Sequence, residues 1–294
     1  MINDTLYIIG NGFDLHHGIK CRYKDFHEWL EDNYDWDYDD IESCFGDVDL
    51  WSDLENNMAN FDYERFGSDN VDFSGLMAIV DAQGDTWGFS DAPDNVSEKL
   101  KDWHTTMRKR FALWITTLSV TASVNKLDNL NRDAWFLNFN HTHTLEDLYG
   151  ISPEKILHIH GQVGDTWKCI ELGHNGIVEE PTYSLPQMGC TREMTGEEEK
   201  AGESARQGVL SWKKDVKRLI EKNHDFWEKL NDVENVYVLG FSFSDVDLPY
   251  IKKVASHVSM VAMWHIGWHE VGEDKKFADR AYACGVNMIE TFHF

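Results

Sequence analysis

The feature that most constrains this chain is a rhythm. Short apolar runs, several of them closed by a glycine or a small polar turn, alternate with helical patterns. Leu6–Ile9, Ala134–Leu137, Ile156–Ile159, Val236–Leu239, Met260–Ile266 and Met288–Phe292 read as buried strands. Leu100, Trp103, Met107, Phe111, Trp114, Ile115 and Leu118 share one helix face. Val209, Trp212, Val216, Leu219, Ile220, Trp227 and Leu230 predict a second long helix, and a shorter one starts at Asp247 with Leu248, Ile251, Val254 and Ala255. Strands alternating with helices give an α/β fold with a doubly wound, mainly parallel sheet.

Two stretches break the rhythm. Residues 31–95 are acidic, aromatic and turn-rich, and are expected to form an insertion of helices and loops. Residues 161–204 read as a surface excursion, a candidate lid. The whole, 1–294, is expected to be a single domain carrying both. The apolar content (42% hydrophobic, 13% aromatic) suffices for a core and excludes global disorder. The net charge of −25 weighs against nucleic acid as a partner, because phosphate contacts need clustered Lys and Arg. It leaves room for a small anionic ligand held by backbone N–H groups. Five cysteines without a C-x-x-C pair are expected to be reduced thiols and exclude a zinc ribbon. No apolar stretch approaches a membrane span and no leader layout opens the chain, so a soluble cytoplasmic protein is expected.

Four turns carry candidate chemistry. In Gly10-Asn11-Gly12-Phe13-Asp14 the glycines permit a tight turn and a close ligand, and Asp14 suits either a helix N-cap or a ribose hydroxyl. The pattern is not a complete G-x-G-x-x-G, so a plain strand-to-helix turn competes. Asn138-Phe139-Asn140-His141-Thr142 places two asparagines at a strand end. Asn140, Thr142 or Thr144 as helix caps compete there with a ligand site. In Ile156-Leu157-His158-Ile159-His160-Gly161 both histidines share a strand face, and a glycine leaves room beside His160; satisfied structural histidines are the alternative. Gly240-Phe241-Ser242-Phe243-Ser244-Asp245-Val246-Asp247 offers amides and hydroxyls to a phosphate or ribose, or merely a cap from Ser244 or Asp245. Gly173-His174-Asn175 is a further contributor from the excursion. The coincidence of four such turns on the edge where doubly wound sheets bind ligands is the main functional signal.

Ile9-Gly10-Asn11-Gly12-Phe13-Asp14-Leu15, with His17-Gly18 and Tyr23-Lys24-Asp25-Phe26, resembles the opening of the AbiH family of bacteriophage abortive-infection proteins. The Asn138–Thr142, His158–Gly161, Gly173–Asn175 and Gly240–Asp247 segments resemble the same family in the same order. That family is similar in turn to sirtuin-like domains, which implies a Rossmann-like, sirtuin-like sheet binding NAD. By the resemblance, Gly10, Gly12 and Asp14 match the nucleotide-binding loop, with Asn11 and Phe13 inside it. Asn140 matches the asparagine near the nicotinamide ribose, His160 the catalytic histidine, and Gly240 and Ser242 the turn on the adenosine side. Asp245 and His174 are taken as further ligand contacts. Sirtuin-like domains in phage defence cleave NAD. The four-cysteine zinc module of the deacylases is missing, which disfavours protein deacylation. A phage-derived trigger and a homo-oligomer are the partners this resemblance admits.

Cleaving the nicotinamide–ribose bond passes through a cation-like sugar and releases a neutral ring, so no general acid is needed. His160 suits the base, Asn140 the orientation of water or ribose, and Asp14 a ribose hydroxyl or the developing positive charge. The expected function is an NAD-cleaving hydrolase, with NAD as substrate and no metal. Two alternatives stand beside it. One is a metal-dependent nuclease or phosphoesterase built on His158, His160, His174 and His141 or Asp247, against which the charge weighs. The other is a non-catalytic nucleotide-binding sensor.

Overall fold

The computed structural model describes residues 4–71, 92–119, 125–182, 184–187 and 190–294; the part of the expected insertion from 72 to 91 lies outside the described residues. All six apolar runs become strands of one sheet: β1 (Thr5–Ile9), β2 (Trp135–Asn138), β3 (Ile156–His158), β6 (Asn235–Leu239), β7 (Met263–Trp268) and β8 (Met288–His293). Two short strands, β4 (Ser184–Gln187) and β5 (Cys190–Glu193), pair antiparallel on their own. In the six-stranded sheet every pairing is parallel and the order is β3-β2-β1-β6-β7-β8. The chain thus winds outward from β1 in one direction and from β6 in the other. The fold is α/β and doubly wound, and its strand order reverses between β1 and β6.

The apolar runs are continuous because both sheet faces are covered. Leu6 and Ile8 lie with Leu137, Val236, Val238 and Ile266 in one core, beside Leu219, Trp227, Ile251, Val254 and Phe277 from the helices. Tyr7 and Ile9 lie in the other, with Phe13, Leu145 and Tyr149. On that second face an in-register ring ladder crosses four strands: Phe136, Tyr7, Tyr237 and His265, with centroids 5.1, 5.2 and 4.5 Å apart. Two expectations need correction. Strand β7 starts at Met263 rather than Met260, since Met260 and Val261 are exposed in the turn before it. The long helix expected across Val209–Leu230 is three helices, Gly196–Leu210, Val216–Lys222 and His224–Glu228. Its apolar residues are buried as their spacing requires, Ile220 only partly, but the Asp215 carboxylate accepts the Arg218 N–H at 3.0 Å and starts a new helix there.

The chain divides into two compact units: Met1–Trp29 with Lys109–Glu171 and Asp215–Phe294, and Leu30–Arg108 with Leu172–Lys214. The first holds the six-stranded sheet. The second gathers most of the expected insertion with most of the expected excursion. Residues 196–204, the end of the expected excursion, are the first part of helix Gly196–Leu210, which has a capping box of Thr195 and Glu198. Gly67 meets Gly202 in this unit so closely that a Cβ on Gly67 would lie 2.5 Å from the Gly202 nitrogen. The second unit's segments carry 28 of the 52 acidic residues and nine of the 27 basic ones, so most of the negative charge belongs to it. The four cysteines whose side chains are described are free thiols. Among the described residues no helix is long and apolar enough to cross a membrane.

Candidate active site

The turns after β1 and β6 meet at the point where the strand order reverses. Gly10 N–H donates to the Leu239 carbonyl at 3.0 Å, Gly12 N–H to the Gly240 carbonyl at 2.8 Å, and Phe13 N–H to the Gly10 carbonyl at 2.9 Å. A Cβ on Gly10 would lie 2.6 Å from the Gly240 oxygen, and one on Gly12 2.7 Å from the Gly240 Cα. Gly240 itself has φ +62°, and a Cβ there would sit 2.1 Å from the Phe13 nitrogen. Close approach is indeed what these glycines provide, but it is the approach of one turn to the other. The N–H groups of Gly10, Gly12 and Phe13 are committed to carbonyls. Phe13 has no exposed surface, its ring lying against His17 and Tyr149. Asn11 is exposed, and its Oδ1 accepts from the Cys21 thiol at 2.7 Å.

Asp14 caps nothing; it lies inside helix Asn11–His16, whose N-cap position is Gly10. It is 1% exposed, and its two oxygens accept the hydroxyls of Thr142 at 2.5 Å and Thr144 at 2.7 Å. Burial pushes its carboxyl above the usual carboxylate range, against the hydrogen bonds from Thr142, Thr144 and Asn140 and the charge of His158. The cap position of helix Thr144–Tyr149 is His143, so the candidate caps Asn140, Thr142 and Thr144 have other work. Asn140 donates from Nδ2 to the Gly10 carbonyl at 3.0 Å and its backbone N–H to Asn138 Oδ1 at 3.0 Å. The β2 edge is thereby tied to the β1 turn by side chains on both.

The two histidines of the third turn have different surroundings. His158 Nδ1 lies 3.0 Å from the Asn140 carbonyl and 3.4 Å from Asn138 Nδ2, and its Nε2 lies 3.0 Å from Glu146 Oε1. Burial raises the Glu146 carboxyl, but the His158 hydrogen bond and charge outweigh it and hold the group below its ordinary value. His160 is buried, with its ring edge-on to Phe139 (5.3 Å between centroids) and Tyr250 (5.6 Å). Its Nε2 lies 3.5 Å from Asp247 Oδ1. Gly161 beside it has φ +85°, and a Cβ there would meet the Cys169 carbonyl at 2.4 Å. Local spacing assigns Asp247 only the start of a helix and a place in the metal alternative, and it singles out nothing at Glu146.

In the fourth turn Ser242 is exposed, whereas Phe243 is fully buried at φ +54°. Asp245 is exposed and pairs with Arg280 of helix Glu273–Ala283, so its carboxylate already has a cationic partner. His174 belongs to the second unit and has no exposed surface; its Nε2 lies 3.1 Å from the Val209 carbonyl. Desolvation holds its ring basicity below the usual histidine value. The adjoining Gly173 packs on the Trp212 carbonyl and donates to Glu55, which also pairs with the buried Lys214 at 2.7 Å. These polar residues hold their own loop. Among the described residues no group of three or more His, Cys, Asp or Glu is placed to hold a metal ion.

Comparison with family models matches residues 6–268 to Bacteriophage abortive infection AbiH. The match spans most of the chain, which therefore belongs to the AbiH family, a family of bacteriophage abortive infection. No curated protein and no solved structure matches it.

Proposed function

From this family membership we propose that the chain acts in abortive infection as a hydrolase that cleaves NAD and releases nicotinamide. The observation that carries the reading is the meeting of Asn140 and the β1 turn at the reversal point of a doubly wound sheet, with His160 following the neighbouring strand. In this reading His160 takes a proton from water or from a ribose hydroxyl, which histidine's unperturbed pKa near neutrality suits. Asn140 orients that nucleophile or the ribose. The glycine contacts hold the β1 turn to the β6 turn and the Asp14 clasp holds it to the β2 turn, so that binding supplies the geometry. A base contributes about two to four orders of magnitude in rate, and positioning must supply much of the rest. Ser242, exposed on the fourth turn, is the hydroxyl available to the adenosine half.

The test is to incubate the protein with NAD and follow free nicotinamide by NMR, alone and in extracts of phage-challenged cells. Nicotinamide accumulates with the wild type and not with His160→Ala or Asn140→Ala. If both variants consume NAD as the wild type does, the assignment is wrong. Tight binding of ADP-ribose with no turnover in either setting replaces the hydrolase with a nucleotide sensor.

A further inference from the structure

Two carboxylates stand near the candidate histidine and asparagine in the fold, and their surroundings separate their roles. Asp14 spends both oxygens on threonine hydroxyls and is 1% exposed. Asp247 occupies the N-cap position of helix Leu248–Ala255, where an aspartate side chain ordinarily accepts a backbone N–H of the first turn. It makes no such cap bond. Its carboxylate instead approaches the His160 ring to 3.5 Å, and the two side chains are only 13% and 6% exposed. A carboxylate so placed carries a desolvation cost that a nearby imidazolium offsets, and it stabilises the protonated ring more than the neutral one. The backbone explains how it arrives there. Asp247 N–H donates to the Ser244 carbonyl at 2.9 Å, closing the turn that begins at Gly240, and Pro249 opens the helix behind it.

We propose that Asp247 is a positioning residue for His160: it fixes the orientation of the ring and raises its basicity, while Asp14 serves the fold. The inference rests on the reading of His160 as the base, but the pair can be tested without any reaction. Other titratable groups lie near the ring. Tyr250, on the helix that Asp247 precedes, meets the His160 ring in a T-shaped contact with centroids 5.6 Å apart. Glu171, whose N–H donates to the His160 carbonyl at 2.9 Å, has its carboxylate on Arg218 at 2.7 Å. His141 sits with Nδ1 3.0 Å from the Gly161 carbonyl. Asp247 is in ion-pair contact with the ring.

The decisive experiment is a pH titration of histidine ring resonances in isotopically labelled protein, with the His160 signal assigned by its loss in His160→Gln. Asp247→Asn should lower the His160 midpoint by about one pH unit or more, the size expected on losing an opposite charge at this distance. Asp247→Glu should restore part of the difference. A midpoint that moves by less than about 0.3 pH unit in Asp247→Asn, too small for a charge partner, overturns the proposal. Thermal unfolding of each variant shows that the comparison is made on folded protein. Where NAD is turned over, the acidic limb of kcat/KM against pH moves by the same amount and KM stays close to the wild-type value. An unmoved limb beside a shifted NMR midpoint means the pair is real and His160 is not the base. Absence of turnover beside a shifted midpoint likewise removes the NAD reading and leaves the pair standing.

Discussion

The clasp around Asp14 allows a prediction by counting protons. Three oxygen contacts form a small closed cycle: Thr142 hydroxyl to Asp14 Oδ2 at 2.5 Å, Thr144 hydroxyl to Asp14 Oδ1 at 2.7 Å, and hydroxyl to hydroxyl at 3.0 Å. Two threonine protons cannot fill three contacts. With a neutral carboxylic acid a third proton is present, and each group in the cycle donates once and accepts once. Burial pushes the pKa in the same direction. An asparagine at this position imitates the neutral acid, with its amide N–H donating to one hydroxyl and its carbonyl accepting from the other. Asp14→Asn is therefore expected to stay within about 1 kcal/mol of the wild type near neutral pH, since no buried partner is orphaned. Asp14→Ala leaves both hydroxyls without their acceptor and opens a cavity, at about 2–5 kcal/mol.

The pH dependence fixes the sign. A folded-state pKa raised above the unfolded value gives a contribution that is full below the unfolded pKa and is lost as pH rises through the folded one. The asparagine variant lacks that loss, so it should gain on the wild type as pH rises. The gain is at most about 1.4 kcal/mol for each pH unit that separates the folded pKa from the unfolded one. Urea unfolding of both proteins at a series of pH values between about 5 and 9 measures the difference directly. If instead the ionised carboxylate is the form that matters, Asp14→Asn removes charge-assisted bonds worth about 1.5–3 kcal/mol each. Its deficit would then be largest at high pH and shrink toward acid. That opposite slope refutes the proton count.

Two further outcomes follow from the packing. Gly240→Ala forces a Cβ into the Phe13 nitrogen from a left-handed backbone, so it should cost more than the roughly 1–2 kcal/mol of the backbone strain alone. A fall in Tm of less than a few degrees would show that the two turns separate easily. His104, buried with Nε2 2.8 Å from the Leu172 carbonyl, is held down to about 4 by desolvation. Its folded pKa is depressed, so stability should fall as pH drops from about 6.5 to 4, at up to roughly 1.4 kcal/mol per pH unit. His104→Gln should flatten that limb in urea unfolding, and an unchanged limb places the acid sensitivity elsewhere.

How much of this was legible in the sequence depends on the range over which each constraint acts. The strands were legible because a run such as Leu6–Ile9 must be covered on both faces whatever covers it, and alternation with helices leaves few ways to connect such runs. The end of the long helix was not, because apolar spacing continues through Trp212 to Leu230 while a cap at Asp215 decides where the backbone turns. Gly173-His174-Asn175 looked like a ligand loop because polar residues beside a glycine look alike whether they face a substrate or their own backbone. The partners of His174 distinguish the two, and the contact of its Nε2 with the Val209 carbonyl and the Lys214 N–H donated to the His174 carbonyl join segments that local spacing does not connect.

The same limit explains the aspartates. Capping is the best local account of Asp14 and Asp247 alike, and neither side chain caps a helix. What each does is set by the strand order β3-β2-β1-β6, which brings residues far apart in the chain to one edge of the sheet: Asp14 to the threonines after β2, and Asp247 to the histidine after β3. A doubly wound sheet gathers the ends of its strands before any chemistry is chosen, so polar residues there have two uses open to them. Those that fasten turn to turn become buried and saturated, as Asp14 is. In the proposed reading a residue that serves a ligand needs a partner that fixes it, and the Asp247 carboxylate beside Nε2 of His160 is that kind of partner.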